Sequence, residues 1–302
     1  MKSSIEHLKI TTLAENYVQS QSYTALGQWG LSFYLDLIDS KGEERKILLD
    51  TGLNKEALLH NVKSLKKDLR ILDCVVISHG HLDHTAATVE AVKASGGIPV
   101  YAHPYCFYPK IFQNKEGKRR NIGVPDGENI SDIEAAGGTI VLSKDPLEIV
   151  PGFWTTGEVP RRSFEKWRVT PGTKRIQLRD GEEFDDLLLD DLSLWGVVEG
   201  CGPFVVTGCA HAGIVNTLLQ VQELSGSKEI YGFTGGTHMF DKNEADLERT
   251  LDELENFGLK LMSPCHCTGF QPTALIWQRF PDEFVLNYSG KVIEVPDKNL
   301  NQ

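Results

Sequence analysis

A single α/β domain with two similar halves is predicted by three features of the chain. Short apolar, β-branched runs lead through loops into stretches of helical composition, as in Leu72 to Ile77 before Thr85 to Ala94. The loops at these junctions collect histidine, cysteine and aspartate in both halves, so the second half repeats the plan of the first. No low-complexity tract or flexible linker divides the 302 residues, which read as one domain over 1–302 with an insertion or lid around 105–190.

Composition narrows the function. Hydrophobic residues make up 40% and charged residues 24%, as in soluble globular proteins. A formal net charge of -11 argues against nucleic acid as the main partner, yet a bound dication would still make room for an anionic small molecule. No apolar run follows a basic start and no stretch is long enough to cross a bilayer, so a cytoplasmic protein with no membrane partner is expected. The six cysteines are scattered, which predicts reduced thiols. Nothing in the chain sets the oligomeric state.

The elements follow in order. Leu8 to Leu13 is a first strand, and Leu31 to Ile38 with Lys46 to Leu49 forms a hairpin about the polar turn Asp39 to Glu44. Its return strand runs into Asp50-Thr51-Gly52, and Asn54 caps a helix over Lys55 to Leu65. The buried run Leu72 to Ile77 then delivers Ser78-His79-Gly80-His81-Leu82-Asp83-His84, followed by a helix over Ala86 to Lys93 that Gly96 and Gly97 stop. Pro99 to Tyr101 is a short strand ended by His103-Pro104, where the histidine suits local hydrogen bonding. Tyr105 to Arg120 interleaves Tyr105, Phe107, Tyr108 and Phe112 with cations; it is either a pocket wall for an aromatic anion or an amphipathic cover for a sheet edge. Thr139 to Leu142 is a strand, and Thr170 to Asp186 reads as a long polar connection of the lid or substrate-loop kind.

The second half opens at Asp190 to Leu194. Phe204 to Gly208 is a buried strand that delivers Cys209-Ala210-His211, with a helix over Ile214 to Leu224 behind it. Ile230 to Phe233 runs into Gly235-Gly236-Thr237-His238 before a charged helix over Glu244 to Glu255. Leu261-Met262 runs into Cys265-His266-Cys267, with Pro272 near the start of another helix. Phe284 to Leu286 and Lys291 to Val295 are closing strands.

Chemistry concentrates in the stretch 78–84. Three of the nine histidines and one aspartate fall there, and imidazole with carboxylate suits zinc, iron or manganese better than an oxygen-only ion. In an extended loop His79 and His81 point the same way, whereas Asp83 and His84 turn with the helix toward a second point.

The pattern His79-x-His81-x-Asp83-His84 resembles the first ligand motif of the metallo-beta-lactamase superfamily. That resemblance implies a four-layer αββα sandwich with one or two metals where the sheets meet. It also implies that Asp50 supports the metal site from behind; the alternative, read from the residues alone, is that Asp50 merely begins a turn. A narrower resemblance rests on Glu15-Asn16, Gly30-Leu31-Ser32, Asp50-Thr51-Gly52, Gly157-Glu158-Val159-Pro160-Arg161, Thr207 to Gly213, Gly235 to His238 and His266 to Gly269. These look like a dihydropteroate-synthase-like subfamily whose members make a dihydropterin–aminobenzene–ribofuranosyl phosphate. Gln28-Trp29 and Thr237 depart from its pattern, which points to a changed substrate.

Two divalent ions are expected, zinc first, with manganese or iron as alternatives. His79, His81 and a later histidine complete one set; Asp83, His84 and another complete the second. His211 and His266 are the later candidates, each after a short apolar strand. The bridging aspartate that the resemblance implies is replaced by Cys209, and whether Cys209 or His211 ligates stays open. Asp190 or Asp191 could supply a missing ligand. Asp83 is expected to orient a hydroxide, and His238 to hold a phosphate or protonate a leaving group. Arg161 is a candidate phosphate clamp, with Phe107, Tyr108 and Trp154 for an aromatic ring. The expected activity is hydrolysis of a phosphodiester or of a phosphorylated aromatic or pterin-like molecule. The alternatives are a synthase-type transferase, a diiron redox protein using Cys209, Cys265 and Cys267, and a binding protein without turnover.

Overall fold

The structure is a computed structural model that describes residues 4–19, 24–167 and 169–296. The chain begins with β1 (Ser4–Ile5), β2 (His7–Ala14), β3 (Ser32–Ile38), β4 (Glu44–Leu49), α1 (Lys55–Ser64) and β5 (Cys74–Val76). It continues through α2 (Leu82–Thr85), α3 (Thr88–Ser95), β6 (Pro99–Ala102), β7 (Lys110–Gln113), β8 (Arg119–Asn121), α4 (Ile130–Ala135) and β9 (Thr139–Leu142). Next come β10 (Glu148–Val150), β11 (Phe153–Thr155), β12 (Lys174–Arg179), β13 (Glu182–Asp185), β14 (Ser193–Val198) and β15 (Gly202–Thr207). The last elements are α5 (Ile214–Ser225), β16 (Gly232–Gly236), α6 (Glu244–Leu254), β17 (Leu261–Cys265), α7 (Phe270–Arg279) and β18 (Val292–Val295).

Two large sheets hold the molecule. The first runs β18-β2-β3-β4-β5-β6-β9, antiparallel as far as β4 and parallel from there on. The second runs β10-β11-β14-β15-β16-β17, with β15, β16 and β17 parallel and β1 lying beside β14. Each half therefore lends one terminal strand to the other's neighbourhood.

Alternation along the strands sets the layers. Phe33, Leu35, Ile47, Leu49 and Val76 meet Phe153, Leu194, Phe204 and Val206 in the core between the sheets. Their neighbours Tyr34, Leu48 and Val75 point the other way and pack with Leu58 and Val62 of α1 and Val89 and Val92 of α3. Likewise Trp195, Val205 and Phe233 pack with Leu218, Leu251 and Ile276 from α5, α6 and α7. The result is helix, sheet, sheet, helix. Fully burying each such leucine or phenylalanine contributes roughly 1.5–3 kcal/mol, so the strand ends that carry the polar loops are rigid supports.

Three elements differ from expectation. The helix expected over Ala86 to Lys93 begins only at Thr88 as α3, behind the separate turn α2, because the Ala86 amide donates to the Gly52 carbonyl and the Ala87 amide to Thr51 Oγ1. The connection at Thr170 to Asp186 is instead the hairpin β12–β13, turned by Asp180 and Gly181, both at positive φ (51° and 85°). Phe284 to Leu286 makes only an isolated bridge to Met262. The stretch 105–190 is not one block either: β9 joins the first sheet and β10–β11 the second, while β13-β12-β7-β8 forms a separate four-stranded sheet.

Candidate metal centre

Parallel strands bring the polar loops to one edge, since their carboxyl ends all face the same way. β4 ends in Asp50 and β5 leads to Ser78 and His79; in the other sheet β15 leads to Cys209 and His211, β16 to His238, and β17 to His266. Asp50, Ala210, His238 and His266 are left-handed, with φ of 58°, 49°, 45° and 51°. That conformation costs of order 1–3 kcal/mol per non-glycine residue, and it turns each side chain sharply off its strand.

A buried carboxylate orients the rings. Asp50 accepts the Ser78 amide and hydroxyl, each at 2.7 Å, and its Oδ2 lies 2.7 Å from His84 Nδ1. Because the Ser78 hydroxyl is spent on Asp50, its oxygen accepts from His79 Nδ1 at 2.9 Å. His266 Nδ1 lies 3.0 Å from Asn16 Oδ1, and its amide donates to Glu15 at 2.6 Å. His79, His84 and His266 are thus left with Nε2 as the bare nitrogen.

Those nitrogens converge. His79 Nε2 lies 2.9 Å from His81 Nδ1 and 3.2 Å from His211 Nε2. Asp83 Oδ2 lies 3.5 Å from His266 Nε2 and 3.9 Å from His84 Nε2. In each of the groups His79/His81/His211 and Asp83/His84/His266, the donor atoms fall within 4.8 Å of one another. Cys209 stands between them, its Sγ 3.3 Å from His84 Nε2, and it also groups with His238 and Cys267. These sets fit a metal: lone pairs facing one another in a buried place repel unless a cation lies between them.

Burial, with the neighbouring histidines, holds the His79 and His211 imidazoles far below their ordinary pKa, and burial above all takes His81, His238 and His266 to about 3. All five are neutral, the state a ligand needs. Burial pushes the Asp83 carboxyl up, but His84, whose own pKa the carboxylates of Asp50 and Asp83 raise against its burial, outweighs it and holds Asp83 below the ordinary aspartate value.

Similarity to known proteins agrees with this geometry. Residues 45–151 match the family described as a beta-lactamase superfamily domain. The 7,8-dihydropterin-6-methyl-4-(beta-D-ribofuranosyl)-aminobenzene-5'-phosphate synthase of Methanocaldococcus jannaschii is 32% identical over 291 residues, 96% of this chain and 97% of the relative. The chain belongs to the beta-lactamase superfamily. Among solved structures of the superfamily, a metal-dependent hydrolase superposes with a TM-score of 0.76 at 24% identity, covering 95% of this chain and 98% of that one. The metallo-beta-lactamase fold protein YhfI from Bacillus subtilis covers 96% of this chain and 99% of its own, with a TM-score of 0.54 and 14% identity. These two likenesses show the αββα fold.

Other residues singled out from the sequence are more scattered than these His, Asp and Cys groups. Asp190 joins the Gly80 amide to Lys110, and Asp191 accepts the Ala212 amide at 3.3 Å, burial raising its carboxyl to about 7. Arg161 donates to the Leu187 carbonyl and lies over the Trp167 ring. Phe107 packs in the helix layer of the first sheet, Tyr108 lies beside Tyr105, and Trp154 stacks on Trp195, so these rings line no common wall. His103 is held locally by Glu158 and the Tyr105 amide.

Two cavities flank the centre. One, of about 190 Å³, is lined by His211 and His238, by the cations Arg175, Lys166 and Lys242, and by the carboxylates Glu165, Asp241 and Asp246. The other, of about 650 Å³, lies beyond His266 and is walled by Tyr17, Phe270, Trp277, Phe284, Leu286 and Tyr288. Arg175 and this aromatic wall escaped the sequence reading; the signal for Arg175 was the Asp180-Gly181 turn behind it.

No helix among the described residues is long and apolar enough to cross a membrane.

Proposed function

We propose that the protein is a metal-dependent hydrolase that holds two divalent ions, zinc first among them, and acts on a phosphorylated small molecule with an aromatic part. The observation that carries this reading is the convergence of His79 Nε2, His81 Nδ1 and His211 Nε2 within 3.2 Å of the first, beside the Asp83/His84/His266 group. When bound, such ions supply a nucleophile near neutral pH and stabilise negative charge developing on substrate oxygens. The chain's own part is positioning. Asp50 and Ser78 fix the ring faces of His79 and His84, and Asp83 presents a carboxylate to orient the attacking group. His238, whose buried Nδ1 has no hydrogen-bond partner among the described residues, is placed to hold a substrate oxygen. The cavity that holds Arg175 and His238 has groups for a phosphate and the aromatic one suits a ring, which supports an elongated substrate lying across the metals. The Cys209 thiol beside His84 favours zinc or iron over manganese. Six unpaired cysteines support a reducing, cytoplasmic setting.

A second reading, a synthase-type transferase, is favoured by the 32% identity to the methanogen synthase. One preparation separates the two. Protein purified without added metal is analysed by mass spectrometry for bound ions, then assayed for aryl phosphodiester cleavage and for joining a dihydropterin methyl diphosphate to an aminobenzene ribofuranosyl phosphate with release of diphosphate. About two zinc ions per chain with cleavage supports the hydrolase, and joining without cleavage supports the synthase. Iron with neither activity would turn the reading to redox chemistry, and a protein that retains no metal would remove both.

A further inference from the structure

Arg175 on β12 is half-buried, and among the described residues its guanidinium has no hydrogen-bond acceptor and no ion-pair partner. The other described cations around its cavity are spent. Lys242 is tied to Glu165 and Thr250, and Lys166 to the Arg161 carbonyl. The carboxylates that act on Arg175, Asp241 and Asp186, do so only through space, and Asp186 is bonded to Lys110. A half-buried guanidinium gives up part of its hydration, a loss that an arriving anion would offset.

We infer that Arg175 is the anion-binding residue of the site and takes the phosphate group of the substrate. The inference rests on the proposed phosphorylated substrate and goes further, assigning the phosphate to a residue outside the metal-ligand motifs. Three features of the site converge on it. Arg175 shares the 190 Å³ cavity with His211 and His238, and its charge bears on His81, His211 and His238, so an anion there lies against the metal-ligand edge. The flat fork of five N–H donors matches two phosphate oxygens at once, which a lysine cannot do. Its backbone is fixed by pairing with Phe112 on β7 and by the Asp186 amide bonding to its carbonyl, so little order is lost when the anion binds.

The test uses inorganic phosphate as probe on the metal-loaded full chain, with calorimetric Kd, thermal midpoint and metal content for wild type, Arg175→Gln and Arg175→Lys. Arg175→Gln is expected to weaken phosphate binding about 10- to 100-fold and Arg175→Lys by less, with metal content unchanged. Phosphate is expected to raise the midpoint of wild type and to leave that of Arg175→Gln in place. A Kd in Arg175→Gln within about twofold of wild type overturns the inference. So does a variant that loses metal or melts earlier without phosphate, because the arginine is then structural. A wild type that binds phosphate through Arg175 but holds no metal sinks the metalloenzyme proposal and leaves this one standing.

Discussion

Lys110 and Asp190 meet at 2.9 Å with neither side chain exposed, and the second oxygen of Asp190 accepts the Gly80 amide at 2.8 Å. Lys110 also reaches Asp186 at 3.2 Å. A lysine of the small sheet is thereby coupled to the loop that carries His79 and His81. Lys110→Met leaves two buried carboxylates without a cation, which costs roughly 3–5 kcal/mol. Urea unfolding should show that loss, and metal content should fall with it because the loop loses its anchor. Adding Asp190→Asn to the variant removes one stranded charge, so the double variant should recover part of the stability; if it is less stable still, the pair is not what holds the loop.

Gly80 is forced by a close approach. A Cβ built there would lie 1.8 Å from the Cys106 carbonyl oxygen, a contact no side chain can relieve because both partners are backbone. Gly80→Ala must therefore shift the loop between two candidate ligands. We expect a loss of at least ~2 kcal/mol and a large drop in bound metal, read by thermal melting and mass spectrometry on one sample. A variant with wild-type metal content would show that the loop has more room than this contact allows.

Cys209 and His211 need not compete. His211 groups with His79 and His81, whereas the Cys209 Sγ sits 3.3 Å from His84 Nε2 and groups with His79 and His84. Cys209→Ser should lower zinc affinity at least about tenfold and abolish the thiolate-to-metal absorption of the cobalt-substituted protein. His211→Ala should lower metal content but keep that absorption. Loss of the band in His211→Ala alone would assign the histidine, and not the thiol, as the second-half ligand.

How much of this was legible depends on how local each signal is. His79, His81, Asp83 and His84 lie in one short loop, and His211 and His266 each follow an apolar run, so the sequence carried both sets in plain view. The orientation of His266 was not legible, because Glu15 and Asn16 act on it from 250 residues away. The hairpin bearing Arg175 was missed because all of β13 is exposed and offers no apolar alternation, although Asp180-Gly181 is a strong hairpin turn. Phe107, Tyr108 and Trp154 were grouped by residue type alone, and the fold sends Phe107 to the helix layer of the first sheet and Trp154 to that of the second. The break between α2 and α3 comes from hydrogen bonds to Thr51 and Gly52, a tertiary contact that composition does not encode.

Asp39 closes the β3–β4 turn, and its charge gives a pH signature remote from the metal edge. The buried carboxylate accepts the Lys41 amide at 2.8 Å, the Glu43 amide at 3.0 Å and Arg45 Nε at 2.9 Å. Burial pushes its pKa up, but Arg45 and the two amides outweigh that and hold it below the ordinary aspartate value. The unfolded chain therefore takes up this proton at higher pH than the folded one. The stabilisation is fully present above the unfolded value of about 3.9 and is lost as pH falls through the folded one. Asp39→Asn should cost ~1–2 kcal/mol in urea unfolding at about pH 7, and the gap from wild type should narrow at about pH 3. A gap that stays constant between the two pH values would place the stabilisation in the shape of the turn rather than in the charge of Asp39.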